Sequence, residues 1–242
     1  MKKVILLLSL LIGLSSIAQN ATKRFALLSE SKVKEMDVYK KNLPVTDAFA
    51  RKIWEGVMGN RAVHQSETGS LYNFSFVDGD ENFGKFIAIR GTFNNKFYEA
   101  YPKIADENWA NIDGSFRRST WIRINALEFL PADFKLENYN FRKVIIETVP
   151  ANQQEAYEKE QLKLHEIELK IGIKFLSVTW KAIDGYSTNT YMTLIPDNSI
   201  LDFYTHFTER QKIRKNSKEY NDFNNTTVIT NINRIDHLWR IH

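Results

Sequence analysis

The chemistry open to this 242-residue chain rests on five histidines, His64, His165, His206, His237 and His242, because it contains no cysteine. Thiol catalysis, thiolate metal sites and disulfides are therefore excluded. His165 is followed by Glu166 and Glu168, and His206 by Glu209. Those spacings put imidazole and carboxylate on one helix face, a pairing that also recurs on ordinary helix surfaces. The chain has no G-x-S-x-G elbow, no glycine-rich phosphate loop and no H-E-x-x-H metal pair. No hydrolase, nucleotide or zinc-protease chemistry is encoded in those forms.

A second set of candidates suits binding more than catalysis. Tyr72, Trp121, Trp180 and Tyr191 can supply aromatic walls, and Arg123, Asn125, Arg234 and Asp236 polar handles, for a planar organic ligand. The handles occur in two similar pentapeptides, Arg123-Ile124-Asn125-Ala126-Leu127 and Arg234-Ile235-Asp236-His237-Leu238. On a strand, alternation groups Trp121, Arg123, Asn125 and Leu127 in one row, with Arg234 and Asp236 in the equivalent row of the other half. If the apolar row meets the helices, the mixed row faces the interior, where each polar group needs a partner or a ligand. His237 falls on the row opposite Arg234, which separates the nearest base from the nearest cation.

These residues are positioned by an order of elements that occurs twice. Residues 32–129 and 141–242 each read as strand, helix, strand, strand, helix, strand. In the first, a strand around Val33 and Val38 stops at Leu43-Pro44, and Thr46 caps a helix carrying Phe49, Ile53, Trp54 and Val57. Segments 62–67 and 71–77 form a hairpin, Asp78-Gly79-Asp80 opens a long helix, and a further helical piece precedes the strand from Thr120 to Phe129. In the second half, Arg142–Val149 ends at Pro150, and a helix runs from Gln153 to Gly172. Asp184-Gly185 turns a hairpin, and Ser199 with Asp202 resembles a capping box for the next helix. Val228–Ile241 is the closing strand. The basic stretch Arg210, Lys212, Arg214, Lys215 and Lys218 reads as a solvated helix face.

A βαββαβ unit with both helices on one face of an antiparallel sheet is the ferredoxin-like motif. Two in tandem resemble the dimeric α/β-barrel superfamily, with both halves in one chain. The expected fold class is α+β: two tandem ferredoxin-like units forming a pseudo-dimeric barrel. The resemblance covers nearly all of residues 32–242 and rests on topology, without a diagnostic motif. It implies a cavity. The superfamily includes cofactor-free monooxygenases, haem-dependent chlorite-dismutase-like and dye-decolourising enzymes, small lyases and isomerases, and stress-responsive proteins. The residues themselves call for no cofactor; haem is what the resemblance adds, with His165 and His206 on helices where an axial ligand would sit.

The N-terminus sets the compartment. Lys2 and Lys3, an apolar run from Val4 to Leu14, and Ser16 and Ala18 at the small-residue positions form a signal peptide cleaved after Ala18. We expect a signal peptide at 1–18, a leader at 19–31, units at 32–130 and 141–242, and a linker at 131–140. Loss of Lys2 and Lys3 halves the formal charge of +4, and so small a balance argues against nucleic acid as a partner. The expected protein is exported, periplasmic or extracellular, without a stable membrane anchor after cleavage, and monomeric with pseudo-two-fold symmetry. Its expected role is binding a small, largely apolar molecule in or beside the barrel. A monooxygenase-like or haem-dependent oxidoreductase is the alternative, and a module recruiting partners through exposed sheet edges or aromatics is the second.

Overall fold

The computed structural model describes residues 23–59, 61–66, 68–114, 116–130, 134, 138–173, 175–227, 229 and 232–241. The expected signal peptide and most of the expected linker lie outside them. The first half contains β1 (Arg24–Ser31), α1 (Met36–Ile53), β2 (Arg61–Ser66), β3 (Leu71–Asp78), α2 (Asp80–Ala100), α3 (Pro102–Ala110) and β4 (Arg117–Arg123). The second contains β5 (Phe141–Thr148), α4 (Gln154–Lys170), β6 (Val178–Asp184), β7 (Thr190–Asp197), α5 (Ile200–Asn216), α6 (Lys218–Thr226) and β8 (Asn233–Ile241).

The strands close a barrel in the order β1-β3-β2-β8-β5-β7-β6-β4. Each half contributes one ferredoxin-like sheet, β4-β1-β3-β2 and β8-β5-β7-β6. The seams are antiparallel pairs between halves, β2 with β8 through Ser66 and Trp239, and β4 with β6 through Trp121 and Ala182. The tandem pseudo-dimeric barrel expected from element order is the fold observed. Among the described residues each strand has a hydrogen-bonded neighbour on both sides, so closure engages the sheet edges that strand addition would use.

Alternation decides what fills the barrel. Ala26, Leu28, Tyr72, Phe74, Trp121, Val144, Ile146, Trp180, Ala182, Met192 and Leu194 point inward and form one buried cluster. Bulky side chains from both sheets interdigitate there, so the interior is a packed core. Outside the barrel the halves differ. Leu27, Ala50, Trp54, Val77 and Phe86 join β1 and β3 to α1 and α2, with Trp54 stacked between Phe86 and Phe93 at 4.6 and 4.8 Å. The equivalent second-half cluster is small, centred on Val149, Tyr157 and Tyr191.

Three expectations about elements are corrected. The first strand is Arg24–Ser31, in the segment assigned to a leader, and residues 36–42 are helical. Pro44 therefore stops no strand: it lies inside α1, where it removes one helical hydrogen bond that the tertiary packing of α1 outweighs. Thr46 is likewise mid-helix, and its hydroxyl donates to the Asn42 carbonyl. The fourth strand ends at Arg123 rather than Phe129; Asn125–Leu127 form a 3-10 turn, and a single bridge links Phe129 to Ser177.

The hairpin between β6 and β7 turns as expected, and Gly185 is required there twice over. Its φ is +80°, and a Cβ would stand 2.2 Å from the Arg118 carbonyl oxygen of β4. Ser199 caps α5 by accepting from the Asp202 N–H at 3.1 Å and donating to its carboxylate at 2.8 Å.

Candidate functional site

The loosely packed outer side of the second half encloses more space than the outer side of the first. A cavity of about 1020 Å³ lies between the outer face of β8-β5-β7-β6 and helices α4 and α5. Its floor is the outward row of the sheet, including Lys143, Ile145, Glu147, Thr193, Ile195, Arg234 and Asp236. Tyr157, Leu164, His165 and Glu168 reach it from α4, and Phe203, Phe207, Arg210 and Arg214 from α5. Phe129 and Phe175, tilted against each other with ring centroids 4.7 Å apart, close one end.

The polar residues form three groups. Glu168 is almost wholly buried, and Arg210 and Arg214 from α5 converge on it. One Arg210 nitrogen reaches the two Glu168 oxygens at 2.9 and 2.8 Å, and Arg214 Nε reaches Oε1 at 2.7 Å. The Arg210 guanidinium also lies 3.3 Å over the Phe175 ring, and burial pushes its pKa down to about 10. Two cations on one carboxylate leave the group with a net positive charge. These arginines were expected on a solvated face; α6 and the α4 carboxylate enclose them, which a charge count along α5 alone does not reveal.

The second group is on the floor. Arg234 Nε donates to Asp236 at 3.0 Å and Nη1 to Glu147 at 3.4 Å, while Lys143 lies 3.4 Å from Asp236. Desolvation opposes the charge of Asp236, but the Arg234 and Lys143 contacts outweigh it and hold the carboxyl below its ordinary value. Glu147 also accepts from Tyr157 at 2.6 Å, and burial followed by that carboxylate raises the phenol well above its ordinary value.

The third group is histidine. His165 lies half-buried in the cavity wall with its ring centroid 3.5 Å from that of Phe129. Burial lowers its pKa more than Glu168 and Glu166 raise it, which favours the neutral imidazole. No hydrogen bond engages its nitrogens among the described residues. His206, at the rim, is instead held by Asp197 Oδ2 at 2.9 Å, and that hydrogen bond raises its pKa.

The eight residues singled out from sequence separate. Tyr72, Trp121 and Trp180 are buried in the barrel core. Tyr191 is buried on the outer face, its hydroxyl donating to Glu158 at 2.6 Å, and does not line the cavity. Arg123 sits at a barrel end in an ion pair with Glu128, and Asn125 is exposed on the 3-10 turn. Only Arg234 and Asp236 line the cavity, and they do so from the row opposite to the one expected. In β8 their register partners are Glu147 and Ile145, whereas His237 pairs with the inward Val144 and approaches Tyr72 at 6.2 Å. The expectation failed because an ion-paired polar row can floor a gap under helices as well as an apolar row can. Glu168, Arg210 and Arg214 carried no sequence signal beyond charge spacing.

The described residues contain no helix long and apolar enough to cross a membrane and no cluster of three or more metal-ligating His, Asp or Glu. No family model and no curated protein matches the chain. Solved structures do. A proposed monooxygenase from Lactobacillus acidophilus NCFM aligns with a TM-score of 0.56 at 10% identity, over 91% of this chain and 94% of that one. An anthrone oxidase-like protein aligns at 0.53 and 9%, over 90% and 91%. Chlorite dismutase from Candidatus Nitrospira defluvii, in complex with imidazole, aligns at 0.51 and 10%, over 90% and 91%. At such identities the likeness establishes the dimeric α/β-barrel fold, which this chain shares, and leaves chemistry to the site.

Proposed function

We propose that this is an exported protein that binds a small, planar, largely apolar molecule beside the barrel, between the second half-sheet and helices α4 and α5. The observation that carries this is the contrast between a barrel interior filled by side chains and a cavity of about 1020 Å³ outside it. That volume lies at the upper end of the roughly 300–1,000 Å³ typical of small-molecule sites. Phe129, Tyr157, Phe175, Phe203 and Phe207 supply aromatic surface, while Arg234, Asp236 and the Arg210–Glu168–Arg214 group supply orientation. The name of the anthrone oxidase-like neighbour points to the same ligand class, flat and polycyclic.

Thermal unfolding with increasing anthrone tests the assignment. The midpoint should rise with concentration, and Ile195→Trp, which fills the floor, should abolish the rise. A midpoint indifferent to anthrone and to related tricyclic phenols removes the proposal. Export is tested by cell fractionation and by sequencing the mature N-terminus, expected to begin at Gln19. A single-chain barrel is expected to run as a monomer on sizing with light scattering.

A haem-dependent oxidoreductase is the second reading, favoured by His165. A haem in this cavity would need a neutral imidazole as axial ligand and cations for its propionates. His165 suits the first requirement: it is half-buried, burial lowers its pKa, and its ring nitrogens have no hydrogen-bond partner among the described residues. Arg210, Arg214 and Lys143 fit the second in charge, each already holding a carboxylate. Bound haem would supply redox chemistry. Titration with hemin decides: a Soret band lost in His165→Ala supports haem, and its absence leaves the binding function alone.

A further inference from the structure

The first half carries its own, smaller gap in the pseudo-symmetric place. A cavity of about 240 Å³ lies between the outer face of β1, β3 and β4 and helices α1, α2 and α3. Its walls are aromatic, with Trp54, Phe86, Phe93 and Phe97 among them, and its floor is polar, with Ser29, Asn73, Ser75 and Arg118. Most polar groups here are already engaged. Tyr39 donates to Asn73 at 3.4 Å, Arg61 is paired with Asp47, and Asn108 donates to Thr46 at 3.3 Å.

Two cations are not. Arg90 of α2 and Arg118 of β4 both line the cavity, and neither makes a hydrogen bond or ion pair among the described residues. Arg118 lies 4.8 Å over the Phe116 ring. Arg90 is half-buried, and the charged groups that act on it are Arg118, a like charge, and the exposed Asp184. Arg118 is exposed, whereas the half-buried Arg90 loses hydration and is repelled by Arg118, a cost on Arg90 that a shared anion offsets. Arginine suits that anion because its planar fork matches a carboxylate.

We propose that this cavity is a second ligand site, taking a small monocarboxylic acid whose single-ring or short aliphatic body enters among Trp54, Phe86 and Phe93 while its carboxylate bridges Arg90 and Arg118. The size sets the class. About 240 Å³ falls below the roughly 300 Å³ at which sites for drug-sized molecules begin, so polycyclic acids are excluded. The site is independent of the larger cavity, which lies under the other half-sheet.

Phenylacetate and its neutral amide, phenylacetamide, are the probes, titrated calorimetrically into the full chain. Phenylacetate should bind at least tenfold more tightly than the amide. Arg90→Gln and Arg118→Gln should each weaken the acid at least tenfold and leave the amide unchanged, and Arg234→Gln, in the other cavity, should alter neither. Equal affinity for acid and amide, no heat with millimolar phenylacetate, or indifference to both arginine variants overturns the proposal. A measurement on the unaltered protein guards against misfolded variants. The bromine of 4-bromophenylacetate, located by anomalous diffraction, should lie among Trp54, Phe86 and Phe93, and its presence only in the larger cavity or on the surface overturns the assignment.

Discussion

Glu168 of α4 accepts from a single Arg210 nitrogen with both carboxylate oxygens, at 2.9 and 2.8 Å, and this contact ties the two helices that roof the larger cavity. With Arg214 on the same carboxylate, Glu168→Gln leaves two largely buried guanidinium groups without their counter-charge. Removing one partner of a buried charge group costs about 3–5 kcal/mol. Urea unfolding should show that loss, and a variant as stable as the parent would mean that solvent already screens the group.

The two cavity histidines should give opposite pH dependences. Asp197 raises His206 above the ordinary 6.5, so its stabilisation is complete below that value and fades as pH climbs through the raised one. His206→Gln, which keeps a hydrogen-bonding group but no charge, should lose stability at about pH 5 and match the parent at about pH 9.

Burial lowers His165, so the unfolded chain takes up the proton first and stability falls as pH drops below 6.5. His165→Gln should flatten that fall. Proton NMR titration of the two imidazoles provides the direct check: His206 titrating below His165 would contradict both assignments.

Gly185 should not tolerate a side chain. A left-handed conformation costs an L-residue roughly 1–2 kcal/mol, and the close approach to the Arg118 carbonyl adds to it. Since β4 and β6 join the halves there, Gly185→Ala should lower the thermal midpoint. An unchanged midpoint would show that the seam shifts freely.

Trp121 is fully buried inside the barrel. Trp121→Ala should cost about 3–5 kcal/mol without altering the shift in midpoint that anthrone produces. A variant that folds but no longer responds to the ligand would return the binding site to the barrel interior.

The fold was legible where local chemistry and tertiary structure agree. The Asp184-Gly185 hairpin, the Ser199 cap and the repeated order of strands and helices all follow from turn chemistry and from periods of 2 and 3.6 residues. It was illegible at the start of the chain, where Pro44 reads as a stop. Whether a helix runs through a proline depends on contacts that α1 makes with α2, α3 and the sheet, residues distant in sequence.

The candidate site was legible only in part, as Arg234 and Asp236 show. Alternation placed them together and apart from His237, and the structure keeps that separation. It sent the mixed row inward on the condition that the apolar row meets the helices, and that condition depends on which side chains the facing sheet offers. Sequence by itself determined the barrel, its tandem halves and the absence of thiol chemistry. Tertiary structure alone decided that the barrel is solid and the space lies outside it, since cavity volume is the difference between what helices and sheet span and what their side chains fill.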